Sequence, residues 1–287
     1  KQNYRSVSKA VTGYSLDGNR GGFGRGTMVE ERKVILEARG LTKHYGGVQA
    51  LNDADFKMYA DEHIAIVGDN GAGKSTFVRN ITGVEQRTSG EVFVDGVPVN
   101  FKAPNDARAH GIETVYQNLA LADHLDVPAN IFLGREEVYF EFGPLSWLKK
   151  KAMVKRADEL LEETGIKIPD TKQSVAGMSG GQRQCVAISR AAGWGSKLII
   201  MDEPTAALGI QETTRVENII RGLKERGVPV IIVSHNLRQV FNLVDRIVVF
   251  RQGRIAGVLD AKTASGNEVV AMITGVDQDV HENASYI

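Results

Sequence analysis

The 287-residue chain holds a single cysteine, Cys185, so neither an intramolecular disulfide nor a cysteine-cluster metal site can form within it. That usage suits a reducing compartment. Long apolar stretches are missing as well. No uninterrupted run exceeds Val269–Ile273, far short of the ~18 residues a membrane-spanning helix needs, and the first residues lack the apolar region of a secretory signal. There is no net charge, because 35 basic and 35 acidic residues cancel. The whole chain therefore offers no electrostatic attraction to nucleic acid or an anionic membrane. No internal repeat is visible. What remains is ordinary: 42% hydrophobic and 24% charged residues exclude wholesale disorder and fibrous sequences and leave a soluble globular protein.

Residues 1–27 differ from the rest. They hold six glycines, five basic residues and one acid, Asp17, with no sustained apolar period, and they read as a disordered extension ahead of Met28, a candidate natural start. Within them, Arg20-Gly21-Gly22-Phe23-Gly24-Arg25-Gly26 is like arginine–glycine tracts that bind RNA, though one short tract is also an ordinary solvated segment. From residue 28 to 287 the expectation is one domain in which buried strands alternate with amphipathic helices. Ile64–Val67, Leu198–Met201, Val230–Val233 and Ile247–Phe250 read as strands. Val216, Ile219, Ile220 and Leu223 mark one helix face; Leu237, Val240, Phe241 and Val244 mark another. Strands separated by helices imply a mostly parallel sheet in an α/β fold. Between 118 and 189 strand signals vanish and helical ones take over, among them Val154, Ala157, Leu160 and Leu161 before Gly165. This segment reads as a helical subdomain inserted between core segments 28–117 and 190–287.

Three stretches carry chemistry. Gly68-Asp69-Asn70-Gly71-Ala72-Gly73-Lys74-Ser75 follows a strand and opens a helical pattern that begins with Thr76. Glycines let backbone N–H groups curl around phosphate oxygens, the helix start adds positive potential, Lys74 can reach the β- and γ-phosphates, and the Ser75 hydroxyl can ligate Mg²⁺. Leu198–Met201 ends in Asp202 and Glu203. Two acids at a buried strand tip are costly unless a cation or a proton-transfer task holds them there. Asp202 suits the Mg²⁺ shell and Glu203 the activation of water. Finally, Ser179 can cap a helix that Gly180, Gly181 and Gln182 begin, a second candidate anion site, although Ser-Gly-Gly taken alone is a common turn.

Together these motifs resemble the ATPase subunits of ABC transporters. The P-loop, Met178-Ser179-Gly180-Gly181-Gln182-Arg183-Gln184, the strand ending in Asp202-Glu203 and Ser234-His235 come in that family's order and spacing. The resemblance spans about residues 33–275. It implies a P-loop NTPase core with an inserted helical subdomain and a small antiparallel β part. It also implies that Gln117 is the Q-loop residue near Mg²⁺ and the site of catalysis, that His235 is the switch histidine, and that Tyr45 stacks on adenine. Taken alone, His235 reads as a packed strand-end histidine, Tyr45 as a surface aromatic and Gln117 as structural. By resemblance, ATP lies between two copies, with Ser179 and Gly181 acting on the nucleotide held by the other.

Finer features are similar to the monosaccharide importers of the fructose type: Glu113–Leu121, Ile131–Glu136 and Glu203–Gly209. Gly209 departs from the broad family, which has Asp in this loop facing the other subunit. The resemblance implies a peripheral ATPase at the cytoplasmic face of the membrane. Its partners would be membrane permease subunits, contacted near Gln117–Glu136, and indirectly a sugar-binding protein, with no nucleic acid. The alternative is a soluble ABC-type ATPase acting on ribosomes or DNA. Ribosome-acting relatives usually carry two cassettes in one chain, where this sequence shows one, and DNA-repair relatives insert a long coiled-coil arm, for which the interval from Gln117 to Ser179 has no room. Cys185, among apolar neighbours, reads as a buried inert thiol.

Overall fold

The computed structural model describes residues 32–276, apart from 143, 144, 167 and 196; the expectations for 1–27 and the arginine–glycine tract fall outside that range. In chain order the strands are β1 (Val34–Tyr45), β2 (Val48–Tyr59), β3 (His63–Gly68), β4 (Ser89–Val94), β5 (Val97–Val99), β6 (Ile112–Val115), β7 (Val138–Phe142), β8 (Leu145–Leu148), β9 (Leu198–Asp202), β10 (Val230–Val233), β11 (Arg246–Arg251) and β12 (Arg254–Asp260). The helices are α1 (Lys74–Ile81), α2 (Pro104–Ala109), α3 (Val127–Phe132), α4 (Lys150–Glu163), α5 (Gly180–Trp194), α6 (Ile210–Glu225), α7 (Leu237–Leu243) and α8 (Gly266–Thr274).

The main sheet runs β12-β11-β3-β10-β9-β6; it is parallel except for the edge strand β12, which pairs antiparallel with β11. Its central strands are buried on both faces, which is why they read as continuous apolar runs. Successive side chains point to opposite faces. Ala65, Val67, Ile199, Met201 and Ile232 join a core beneath the helices α3 to α8. Ile64, Ile66, Ile200, Ile231 and Phe250 join a second core, shared with α1 and the antiparallel sheet β2-β1-β4-β5. On α6 the face marked by the sequence is the buried one, Val216, Ile219, Ile220 and Leu223; on α7 the marked Val240 is buried beside the unmarked Leu243, Leu237 and Phe241 are half-buried against the same core, and Val244 is buried just past the helix.

The 118–189 segment is mainly helical but holds something its sequence hides. β7 and β8 form an antiparallel hairpin just before α4. On α4 the buried positions are Met153, Ala157, Leu160 and Leu161, so Met153 rather than Val154 leads the packed face. Gly165, at φ 69°, ends that helical run in a left-handed turn.

Candidate functional site

The parallel strands deliver the chemistry to one edge. Register pairs Val233 with both Ile66 and Asp202, and Val115 with Met201. The carboxyl ends of β3, β10, β9 and β6 are therefore adjacent, and out of them run the P-loop, Ser234-His235, Glu203 and Gln117. Ligands of open α/β sheets bind outside this edge.

The P-loop is shaped by backbone packing. Gly68 has φ 149°, and a Cβ there would lie 2.3 Å from the carbonyl oxygen of Phe250. Gly73, at φ 103°, would put a Cβ 2.8 Å from the Ala50 carbonyl oxygen. The Ala72 carbonyl accepts from the Gly253 N–H at 3.0 Å, while Asp69, Asn70 and Gly71 face solvent. Lys74 is buried, and its Nζ donates to the carbonyls of Gly68 and Asp69, both at 2.8 Å. Burial lowers its pKa, opposed by the carboxylates of Glu203, Asp202 and Asp69.

Ser75, Gln117 and Asp202, far apart in sequence, line one cavity of about 670 Å³ together with Tyr116 and Arg79. The Asp202 carboxyl is pushed above its usual range, first by burial and then by Glu203 next to it. That is a destabilised charge which a cation would relieve. Among the described residues no cluster of three or more His, Cys, Asp or Glu side chains is arranged to hold a metal. The donors present, one carboxylate and neutral oxygens beside a phosphate loop, fit Mg²⁺, which is typically held by one or two carboxylates plus substrate phosphates.

Glu203 adopts φ 51°, uncommon for a residue with a side chain, and its N–H donates to the Val233 carbonyl at 2.9 Å. Its carboxylate is 17% exposed and meets Nδ1 of His235, 73% exposed, at 2.8 Å. His235 is thus an outward residue paired with the acid, not a packed strand-end histidine.

Ser179 caps α5: its Oγ accepts from the Gln182 N–H at 3.3 Å, and its own N–H donates to the Gln182 side chain at 3.0 Å. The loop after Gln117 is tied to the same helix, because the Arg190 guanidinium donates to the carbonyls of Leu119 at 2.8 Å and Ala120 at 2.9 Å. Tyr45 sits at the end of β1, 42% exposed and outside the cavity that Ser75 and Asp202 line. Its hydroxyl donates to Glu85, and Lys43 lies over the ring at 5.0 Å. The structure also places Glu212 against Ser179, a contact that the sequence analysis missed. Its one legible trace is a Glu three residues into a helix, which signals an N-terminal cap.

The model of the ABC transporter family matches residues 51–206. The chain belongs to that family. A fructose import ATP-binding protein, FrcA of Rhizobium meliloti, is 46% identical over 256 residues, covering 88% of this chain and 98% of that one. A xylose/arabinose import ATP-binding protein, XylG of Sulfolobus acidocaldarius, is 40% identical over 84% of this chain and 94% of its own. The ribose import ATP-binding protein RbsA 1 of Rubrobacter xylanophilus is also 40% identical, but the match spans 47% of its length. Among solved structures, a nucleotide-free ATP-binding cassette from an ABC transporter superposes with a TM-score of 0.71 at 27% identity, covering 83% of this chain and 98% of that one. A dimeric cassette bound to ADP and Pi shares the fold at 24% identity, with a TM-score of 0.67 over 79% of this chain and 99% of its own. This ABC cassette is an ATP-hydrolysing subunit. Among its described residues no helix is long and apolar enough to cross a membrane.

Proposed function

We propose that this ABC cassette powers the uptake of a sugar, a monosaccharide of the fructose type, by binding and hydrolysing ATP on a membrane permease. The observation that carries the mechanism is the convergence of Lys74, Ser75, Gln117, Asp202 and the Glu203–His235 pair at the ends of four adjacent strands. The observation that carries the cargo class is the similarity, over nearly the whole of both chains, to a fructose import ATP-binding protein.

In this reading the backbone N–H groups from Asp69 to Thr76 cradle the nucleotide phosphates and the Lys74 ammonium turns from its loop carbonyls to the γ-phosphate. Ser75, Asp202 and Gln117 hold Mg²⁺, which neutralises phosphate charge when bound. Glu203 accepts a proton from the attacking water, and His235, held by Glu203, faces the γ-phosphate. Positioning and charge neutralisation supply most of the rate. Tyr45 offers its ring to the adenine. A second copy contributes Ser179, Gly180, Gly181 and Gln182 to each nucleotide, so that two ATP molecules close two cassettes. The Gln117–Glu136 segment carries that closure to the permease, with Arg190 linking it to α5. The cassette sits peripherally at the cytoplasmic face, and the sugar-binding protein is reached only through the permease.

The test is reconstitution with permease subunits of the fructose-import type and their sugar-binding protein, in vesicles offered a panel of labelled sugars. ATP-dependent accumulation of one monosaccharide supports the reading. ATP hydrolysis with none of the sugars in the panel moved overturns the cargo class.

A further inference from the structure

The proposed chemistry leaves Glu212 unused, yet its carboxylate gathers donors from two loops. Ser179 Oγ donates to Oε1 at 2.8 Å and the Gly209 N–H to Oε2 at 3.2 Å. The Gly181 N–H also faces this group, and these donors, the Ser179 hydroxyl foremost, hold its pKa below the usual carboxylate range. The rest of the side chain lies flat on Gly181, where a Cβ would come within 2.6 Å of Cγ and Cδ. Capping of α6 accounts for the Gly209 bond alone. The reach across 33 positions to Ser179 serves nothing in α6. A carboxylate fixed by a hydroxyl and backbone N–H groups at a helix start is an anion in an anion site.

We infer that Glu212 is an internal stand-in for the γ-phosphate. In the single chain it occupies the donors of the Ser179–Gly181 loop, and ATP carried by a second copy must displace it before the two cassettes close. The inference rests on the proposed reading of Ser179 and Gly181 as donors to the partner copy's nucleotide. Its consequence is specific: Glu212 sets the ATP concentration needed for closure and leaves nucleotide affinity at the P-loop of one chain unchanged. Gly209 brings no side chain to this loop, so Glu212 is the acidic group that joins it to the Ser179 loop.

The test titrates ATP against dimer formation by light scattering, in the full chain carrying Glu203→Gln so that closed pairs persist. Adding Glu212→Gln keeps size and the bond to Gly209 but replaces a charge-assisted contact by a neutral one. It should lower the ATP concentration for half-dimerisation by about three- to tenfold. Glu212→Asp, one methylene short of Ser179, should shift it the same way, and MgADP affinity of the single chain should not move. A titration unmoved or shifted to higher ATP in both variants overturns the inference. Ser179→Ala separates it from the reading beneath: that change should raise the ATP requirement. If it does not, the assignment of the loop fails and takes the inference with it. If Ser179→Ala behaves as expected and both Glu212 variants do not, only the inference fails.

Discussion

The P-loop and the Ser179 loop are both glycine-rich turns leading into a helix, but they are held by different means. At the P-loop backbone rests on backbone: Gly68 against the Phe250 carbonyl, Gly73 against that of Ala50, and Ala72 bonded to Gly253. Nothing there can yield without moving a strand. At the Ser179 loop one carboxylate, Glu212, satisfies the hydroxyl and covers Gly181, and a side chain can swing away. In the proposed reading one anion site is therefore preformed, and the other opens at the cost of a few hydrogen bonds, as suits a cassette that meets a partner's nucleotide only on closure.

The largest effect lies where the preformed site does its chemistry. Glu203→Gln removes the basic carboxylate but keeps its shape, so hydrolysis should fall by about 10²–10⁴ while ATP still binds. Phosphate release measured beside nucleotide binding reads both halves, and wild-type turnover would remove Glu203 from the mechanism. Asp202→Asn should instead weaken Mg²⁺-dependent binding.

Next comes the rigidity of the P-loop. Gly68→Ala would force a Cβ to 2.3 Å from a backbone oxygen at a φ of 149°. Strain with no side chain to relieve it should cost about 3 kcal/mol and lower the melting temperature markedly. A melting temperature equal to wild type would show that the loop yields and that the contrast with the Ser179 loop is false.

Tyr45 tests how far the preformed site extends. If its ring stacks on adenine, Tyr45→Ala should weaken ATP binding by about 1–3 kcal/mol. Tyr45→Phe, which loses only the bond to Glu85, should be nearly silent. The reverse pattern would make the hydroxyl, and not the ring, the part that matters.

What the sequence made legible follows the same division. Gly68–Ser75 and Asp202-Glu203 could be read because a phosphate loop and a paired-acid strand end are local patterns whose composition the chemistry dictates. The strands β3, β9 and β10 were legible from their apolar runs. β1 and β2 were not, because bulges break their pairing register and with it the period of two. The β7–β8 hairpin, of sequences VYFEF and LSWL, has no aliphatic run like those of β9 and β10, and it sits inside an otherwise helical segment. Glu212 reads as an ordinary helix-start acid, since no local signal reports a partner 33 positions away. His235 and Gln117 acquired roles only by resemblance to a family; the fold then placed them at the ends of β10 and β6, on the two sides of β9.

Gly181→Ala sharpens the contrast with Gly68. Gly181 lies at the start of α5 without a positive φ, and the three nearest atoms a Cβ would meet all belong to the Glu212 side chain, so the obstacle is movable. The substitution should cost about 1 kcal/mol by dislodging Glu212. In a Glu212→Ala background the same change should turn stabilising by about 0.5–1 kcal/mol, because alanine is the better helix former. Thermal melts of the four chains give the cycle. An equal cost in both backgrounds would mean that something other than Glu212 presses on Gly181.

At neutral pH the smallest effect is expected at Cys185, one turn along α5 from Gly181, on the wall of a cavity of about 480 Å³ that both share with Glu212. The thiol is buried, and loss of solvation pushes its pKa up to about 11 from 9.0. At neutral pH it is protonated in folded and unfolded chains alike, so Cys185→Ala should leave the pH dependence of stability unchanged there. Above pH 9 the unfolded chain ionises first and binds fewer protons than the folded one, so stability should fall as pH rises. The loss from this group should build between about pH 9 and 11 and approach ~2–3 kcal/mol. Cys185→Ala should flatten that stretch of the curve, and native labelling by a disulfide reagent at pH 8 should be slow until denaturant is added. Rapid labelling of the native chain at pH 8 would show that the wall beside Glu212 opens without ATP. The Ser179 loop would then be loose at rest, and the closed half of the contrast between the two loops would be lost.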